Sequence, residues 1–334
     1  MEYIFIVLVI VVILALFFDY TNGFHDAANA IATVVSTRVL TPRAAIILAA
    51  IFNFIGALIS VEVATTIGKG LVDPSFLDIF TILAAIIGAI LWNLFTWYFG
   101  LPTSSSHALI GGVLGATLAH ESFDVINLNN LIFKVFIPSL AAPVIGIIGG
   151  IVFLFLSYFI ASKLKASVVN KVFRVLQLFS ASFMALSHGS NDAQKTMGII
   201  TMALVTTGVL STFQVPLWVK LSAAFFMFLG TLAGGWRIIK TMGMKLTKLR
   251  PIDGFSAETS AATTILLASH FGMPISTTYT ITSSIMGVGV SKKFSALKWS
   301  LAFTILTAWF FTIPGSGLVA FLSYKLIKLF LNLK

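Results

Sequence analysis

Asn22-Gly23-Phe24-His25-Asp26-Ala27-Ala28-Asn29 returns 166 residues later as His188-Gly189-Ser190-Asn191-Asp192-Ala193-Gln194-Lys195. Both copies place an acid three residues after a glycine, inside an otherwise apolar stretch. Outward from this pair, two further landmarks recur in the same order. Phe52-Asn53-Phe54-Ile55-Gly56 matches Phe226-Met227-Phe228-Leu229-Gly230. Phe99-Gly100-Leu101-Pro102-Thr103-Ser104-Ser105-Ser106 matches Phe271-Gly272-Met273-Pro274-Ile275-Ser276-Thr277-Thr278. The offsets of these two pairs are 174 and 172 residues. Three matches in order, at similar spacing, divide the chain into two copies of one unit. Residues 1–160 are the first repeat, 161–171 a cytoplasmic connector and 172–334 the second repeat. Duplicated halves of this kind are a mark of secondary transporters.

The composition fixes the solvent. Hydrophobic residues make up 58% of the 334 and charged residues 10%, whereas soluble domains are about 25% charged. Residues 3–18, 79–119 and 135–162 carry no Asp, Glu, Lys or Arg. One helical span needs roughly 20 apolar residues, and these runs are continuous rather than alternating, which favours helices strongly over a barrel. The expected fold is an all-α polytopic membrane protein. It has about twelve transmembrane segments in two inverted-topology repeats with re-entrant helical hairpins. The first apolar run lacks a basic flank, and Phe17-Phe18-Asp19 is no cleavage site for a signal peptide. It is read as the first helix. The chain has no cysteine, which excludes disulfides and thiol chemistry.

Charge orients the halves. In the second, basic residues collect at 163–174, at 237–250 and at Lys292, Lys293 and Lys298. The positive-inside rule makes these stretches cytoplasmic. The equivalent places in the first half carry acids instead, among them Asp73, Asp78, Glu121 and Asp124. Arg38 and Arg43 sit opposite the uncharged 207–216. The halves therefore run in opposite directions. Lys325, Lys328 and Lys334 oppose this scheme, which puts the C-terminus outside. The net charge of +10 belongs with membrane topology and does not imply nucleic acid.

The acids are candidate cation ligands, because a carboxylate at membrane depth is costly unless paired or hydrated. Gly23 and Gly189 can break a helix beside each acid, and a broken end exposes carbonyls. Carbonyls with Asp26 and Asp192 offer sodium an oxygen cage, to which Asn29 and Asn191 add side-chain oxygens. Glu258 is a further cation ligand or an interfacial residue. His25, His107, His188 and His270 are not spaced as a ligand cluster and read as structural hydrogen-bonding groups.

The hydroxyl runs suit an anion. Proline favours the first position of a helix, so Pro102 and Pro274 can each open one. Helix N-termini attract anions through free amides and dipole together. Hydroxyls of Ser104, Ser105, Ser106, Ser276, Thr277 and Thr278 both donate and accept, which matches a partly protonated phosphate. The bland alternative is that they bond their own helix backbone or cement helix packing. Gln194 and Lys195 break the symmetry of the motif and join the substrate set. Lys195 either neutralises the substrate or pairs with Asp26 or Asp192.

The Gly-X-X-Asp-Ala motif in both halves, with the paired Pro-X-Ser-Ser/Thr runs, resembles the inorganic phosphate transporter (PiT) family. The stretch from Ser187 to Gly198 is especially similar to its bacterial members. The resemblance implies about twelve segments, an elevator-like or rocking core, and cotransport of phosphate with sodium or protons. It places the motif acids at Asp26 and Asp192 and the phosphate cradle at the two hydroxyl runs. His25 departs from the asparagine usual before the acid, while Asn191 keeps it.

No nucleotide-binding loop, His-Glu-X-X-His or Gly-X-Ser-X-Gly motif is present, so neither an enzyme nor an ATP-driven pump is expected, and no cofactor. A channel is disfavoured by the paired, occluded anion site. The expectation is a cation-coupled symporter of inorganic phosphate in the cytoplasmic (inner) membrane, with sodium, held at Asp26 and Asp192, ahead of the proton. Sulfate, or a metal–phosphate complex carried with protons, is the alternative cargo on the same fold. A homodimer is one assembly entertained.

Overall fold

A computed structural model describes residues 2–331. Lys334, which weighed against the expected topology, lies outside them. Among the described residues the secondary structure is helical apart from one isolated bridge between Val72 and Ile126.

The helices follow a similar order in the two parts of the chain. The first comprises α1 (Glu2–Ser36), α2 (Pro42–Ala57), α3 (Glu62–Thr65), α4 (Ile79–Phe99), α5 (Ser105–His120), α6 (Leu128–Asn130) and α7 (Ile137–Ala161). The second comprises α8 (Ala166–Thr206), α9 (Leu217–Ala233), α10 (Trp236–Lys240), α11 (Pro251–His270), α12 (Thr277–Lys292) and α13 (Trp299–Phe330). Long helices lead both series, and each second helix is followed by a short bent one, at 65° in the first half and 60° in the second. Both bent helices continue into a π-helical turn, Thr66–Gly70 and Thr241–Lys245. Both 16-residue helices, α5 and α12, precede the last long segment. The connector expected at 161–171 is largely the start of α8, which is helical from Ala166.

Local sequence explains the breaks before α5 and α12. Gly100 ends α4 with φ 66°, and Gly272 follows α11 with φ 65°, a left-handed conformation that glycine adopts at little cost. Two residues later a proline fixes φ and removes a donor. The helix then begins with Ser104 or Ser276 as its cap, accepting from His107 N and Tyr279 N, each at 3.1 Å. The prolines thus precede the caps instead of occupying the first helical position expected for them.

The halves interlock. α5 packs on α13 and α12 on α7, each across to the other half. α1 lies against α9, and α8 against α2. Small residues make these contacts close. A Cβ on Gly115 would fall 2.0 Å from Gly317 O, and one on Gly150 2.4 Å from Ser284 O, the close backbone approach that small residues permit in lipid.

The surface is apolar, and the largely apolar interior also holds charged groups. Leu140, Phe155, Phe159 and Ile160 on α7 are exposed, as are Phe303, Phe310 and Leu318 on α13. Asp19, Asp26, Asp192, Lys195 and Glu258 are buried. Four helical segments are long and apolar enough to cross a membrane: Tyr3–Ser36, Ile79–Phe99, Leu128–Ala161 and Trp299–Phe330. They become six if each bent pair counts as one span. The expected twelve are not confirmed. At 16 residues α5 and α12 are about 24 Å long, short of a hydrocarbon core of about 30 Å.

Candidate functional site

The acidic motifs sit in unbroken helix. α1 runs from Glu2 to Ser36 and α8 from Ala166 to Thr206, straight through Gly23 and Gly189. The helix break expected at these glycines is not there, so carbonyls freed by one are not ligands. Their purpose is proximity. A Cβ on Gly189 would lie 2.1 Å from Asn53 O, and one on Gly23 2.7 Å from Met227 O. Removing the side chain lets α8 meet α2, and α1 meet α9, at backbone distance.

At this crossing the two halves share one polar centre. Asp26 Oδ2 accepts from Ser105 Oγ at 3.3 Å and Asp26 Oδ1 from Thr278 Oγ1 at 3.3 Å. Asp192 Oδ2 accepts from Thr277 Oγ1 at 3.5 Å. Asn29 donates from Nδ2 to Thr277 at 3.2 Å and to Thr278 at 2.9 Å. Asn22, its amide oriented to satisfy both ends, donates to Ser105 at 2.9 Å, Asp26 at 3.1 Å and Asp192 at 3.3 Å. The starts of α5 and α12 meet directly, since Ser106 donates to Ile275 O at 3.2 Å. Two helix N-termini thus open onto a pair of carboxylates, bringing donors and acceptors into one buried volume.

Histidines flank the acids. His25 Nδ1 lies 2.6 Å from Asp26 Oδ1, and its Nε2 is 3.2 Å from Thr96 Oγ1. His188 turns Nδ1 to Asn53 Oδ1 at 3.0 Å, which sets that nitrogen as donor. Its Nε2 faces Asp192 Oδ2 at 3.5 Å, without a hydrogen-bond partner among the described residues. Ligand atoms of Asp26, His188 and Asp192 all lie within 4.8 Å of one another. The two carboxylates crowd negative charge at a common point that His188 Nε2 also faces, a set of ligand atoms that could hold a cation. Lys195 Nζ supplies part of the compensation, 2.5 Å from Asp192 Oδ1.

Of the expected residues, the centre brings together Asp26, Asn29, Asp192, Lys195, Ser105, Thr277 and Thr278. Ser104 and Ser276 cap helices, and Ser106 ties the two runs to each other. Gln194 stands apart. Its Oε1 accepts from Val63 N at 2.8 Å and Ala64 N at 3.3 Å, and its Nε2 donates to Ser60 at 2.7 Å and to Ser190 O. It is therefore spent on the start of α3, not turned toward an anion. Asn191 donates to Ser269 at 2.8 Å and to Met273 O at 3.3 Å, anchoring the turn before α12. Glu258 belongs to another buried cluster, accepting from Thr33, Ser180 and, at 3.0 Å, Gln177.

Sequence reasoning missed Asn22 and His188 as members of the centre. The signal for His188 was its place four residues before Asp192, one helical turn away on the same face. Asn22 lies four residues before Asp26 in the same way.

Residues 22–320 match the phosphate transporter family. A probable low-affinity inorganic phosphate transporter of Rhizobium meliloti is 48% identical over 319 residues, 95% of each chain. One of the same description from Bacillus subtilis is 44% identical over 332 residues, covering 98% of this chain and 99% of that one. The fold is similar to a solved structure described as the sodium-dependent phosphate transporter. Its TM-score is 0.87 at 25% identity, over 97% of this chain and 99% of that one. These proteins are transporters, not enzymes. The homodimer finds no support among them.

Proposed function

This chain belongs to the phosphate transporter family, and on that premise we propose that it is a sodium-coupled symporter of inorganic phosphate working by alternating access in the cytoplasmic membrane. The observation that carries this reading is the meeting of two hydroxyl-bearing helix starts, one from each half, over Asp26 and Asp192. In the proposed loaded state, sodium takes carboxylate oxygens of Asp26 and Asp192. That frees the hydroxyls of Ser105, Thr277 and Thr278 to turn toward the anion. Each helix start contributes roughly half a positive charge, and the bound sodium a full one. Together they offset about two negative charges, as phosphate carries near neutral pH. Ser104, Ser106 and Ser276 shape the cradle. Asn191, Gln194 and Glu258 support it from outside.

The proposal includes inverted repeats at 1–160 and 172–334 and about twelve crossing or re-entrant segments. The recurrence of element order, bends and π-helical turns in the two halves supports the repeats, and the opposed distribution of Lys and Arg supports their inversion. Movement of one interlocked unit against the rest would expose the centre to each side in turn.

A second reading, cotransport of a metal–phosphate complex with protons, is favoured by one observation: the free Nε2 of His188 in the acidic centre. Imidazole suits transition metals better than it suits sodium. Labelled phosphate uptake into proteoliposomes separates the two. A sodium gradient should drive uptake at constant pH, with sulfate failing to compete. Uptake driven by a pH gradient in sodium-free buffer and stimulated by a divalent metal would support the second reading.

A further inference from the structure

Asp19 lies on α1 seven residues before Asp26, two helical turns away and on the same face. It is fully buried, and neither carboxylate oxygen has a hydrogen-bond partner among the described residues. An acid left so at membrane depth is a functional candidate by default. Thr196 of α8, the helix packed against α1, stands beside it, and its hydroxyl is likewise unpartnered. Asp19 therefore faces the stretch of α8 that carries the acid and the ammonium of the transport centre.

Lys195 is fully buried and holds Asp192 Oδ1 at 2.5 Å. An ammonium has three donors. While Lys195 occupies that oxygen, Asp192 cannot give both oxygens to a cation. A cation that claims Asp192 must displace Lys195, and a displaced ammonium inside the protein needs another acid, because an uncompensated buried charge is strongly unfavourable. The acids on the other helices packed against α1 are Asp253 and Glu258 of α11. Asp253 is held by Arg250 and Lys292, and Glu258 by Thr33, Gln177 and Ser180. α4 carries no charged residue, and the one charge on α9 is Lys220.

We infer that Asp19 is the alternate acceptor for Lys195: the ammonium moves from Asp192 to Asp19 when sodium binds, and returns when sodium leaves. Asp19 is thus a positioning residue that acts through Lys195, touching neither sodium nor phosphate. This inference rests on sodium binding at Asp192, as proposed above.

The test measures labelled-sodium binding to the purified full-length protein by equilibrium dialysis, with choline as the replacement cation. Asp19→Asn should raise the sodium concentration for half-saturation by about tenfold or more, the scale set by stranding one buried charge. Asp19→Glu keeps the acceptor and should stay near wild type. In a Lys195→Met background the Asp19→Asn change should have no further effect, because there is no ammonium to receive. Should Asp19→Asn aggregate, Asp19→Ser serves the same comparison. Wild-type binding in Asp19→Asn would overturn the inference, as would an equal weakening with and without Lys195. If the unaltered protein binds no sodium, the sodium reading itself falls, a result distinct from either.

Discussion

Asn29 donates to the hydroxyl of Thr278 at 2.9 Å, tying the first acidic motif to the second hydroxyl run across 249 residues of sequence. The same exchange links Ser105 to Asp26 within the first half and Thr277 to Asp192 within the second. The centre is therefore a joint product of both copies, and a change on either side should affect both ligands.

Asp26→Asn and Asp192→Asn should each abolish coupled phosphate uptake while leaving membrane insertion intact. Each substitution removes a charge that a bound cation would balance and keeps the side-chain shape. Uptake in proteoliposomes, alongside the amount of monodisperse protein recovered, checks this. Wild-type sodium dependence in either variant would remove that acid from the cation site.

Ser105→Ala and Thr277→Val should raise the phosphate concentration for half-maximal uptake. Losing one hydroxyl that serves a buried oxygen costs on the order of 1–3 kcal/mol, which corresponds to roughly five- to over a hundred-fold in binding. If the two single variants and the double variant all keep the wild-type value, the hydroxyls are structural and the anion is held elsewhere.

Gln194→Ala separates cap from cradle. Because Gln194 accepts from the first amides of α3, its loss should lower stability by about 1 kcal/mol, the typical cost of a lost helix cap. The half-saturation for phosphate should stay unchanged. A large rise in that value without loss of thermal stability would return Gln194 to the substrate site.

Gly189→Ala should destabilise the fold, since its Cβ would meet Asn53 O at 2.1 Å and the clash is with backbone. Overpacking of this kind costs about 1–3 kcal/mol. The midpoint temperature of aggregation, followed by fluorescence-detected size exclusion, reads it. An unchanged midpoint would mean that α2 and α8 can separate freely there.

Much of this arrangement is legible in the residues. The uncharged runs at 3–18 and 135–162 lie in long helices with an exposed apolar face, whereas 79–119, equally uncharged, is mostly buried. Asp26, Asp192 and the hydroxyl runs converge as their duplication suggests. What is not legible depends on distances between helices. Gly23 and Gly189 read equally well as breaks or as close contacts, and the backbone of Met227 and Asn53 decides it. Asn191 and Gln194 flank Asp192 in sequence but point away around the helix, because neighbours in sequence sit about 100° apart on a 3.6-residue helix. Conversely, Asn22 and His188 lie one turn before the acids and share their face. Glu258 carries the chemistry of a cation ligand, and only the packing of α11 on α1 and α8 shows its oxygens engaged by Thr33, Ser180 and Gln177.

The central claim is that cation and phosphate share the centre around Asp26 and Asp192. Phosphate binding to the purified protein, titrated in sodium and again in choline, tests it most directly. Binding should tighten by about tenfold or more in sodium, within the range of coupling free energies between linked sites, and the sodium effect should vanish in Asp192→Asn. Equal phosphate affinity in the two salts, or a sodium effect that survives in Asp192→Asn, would contradict the account.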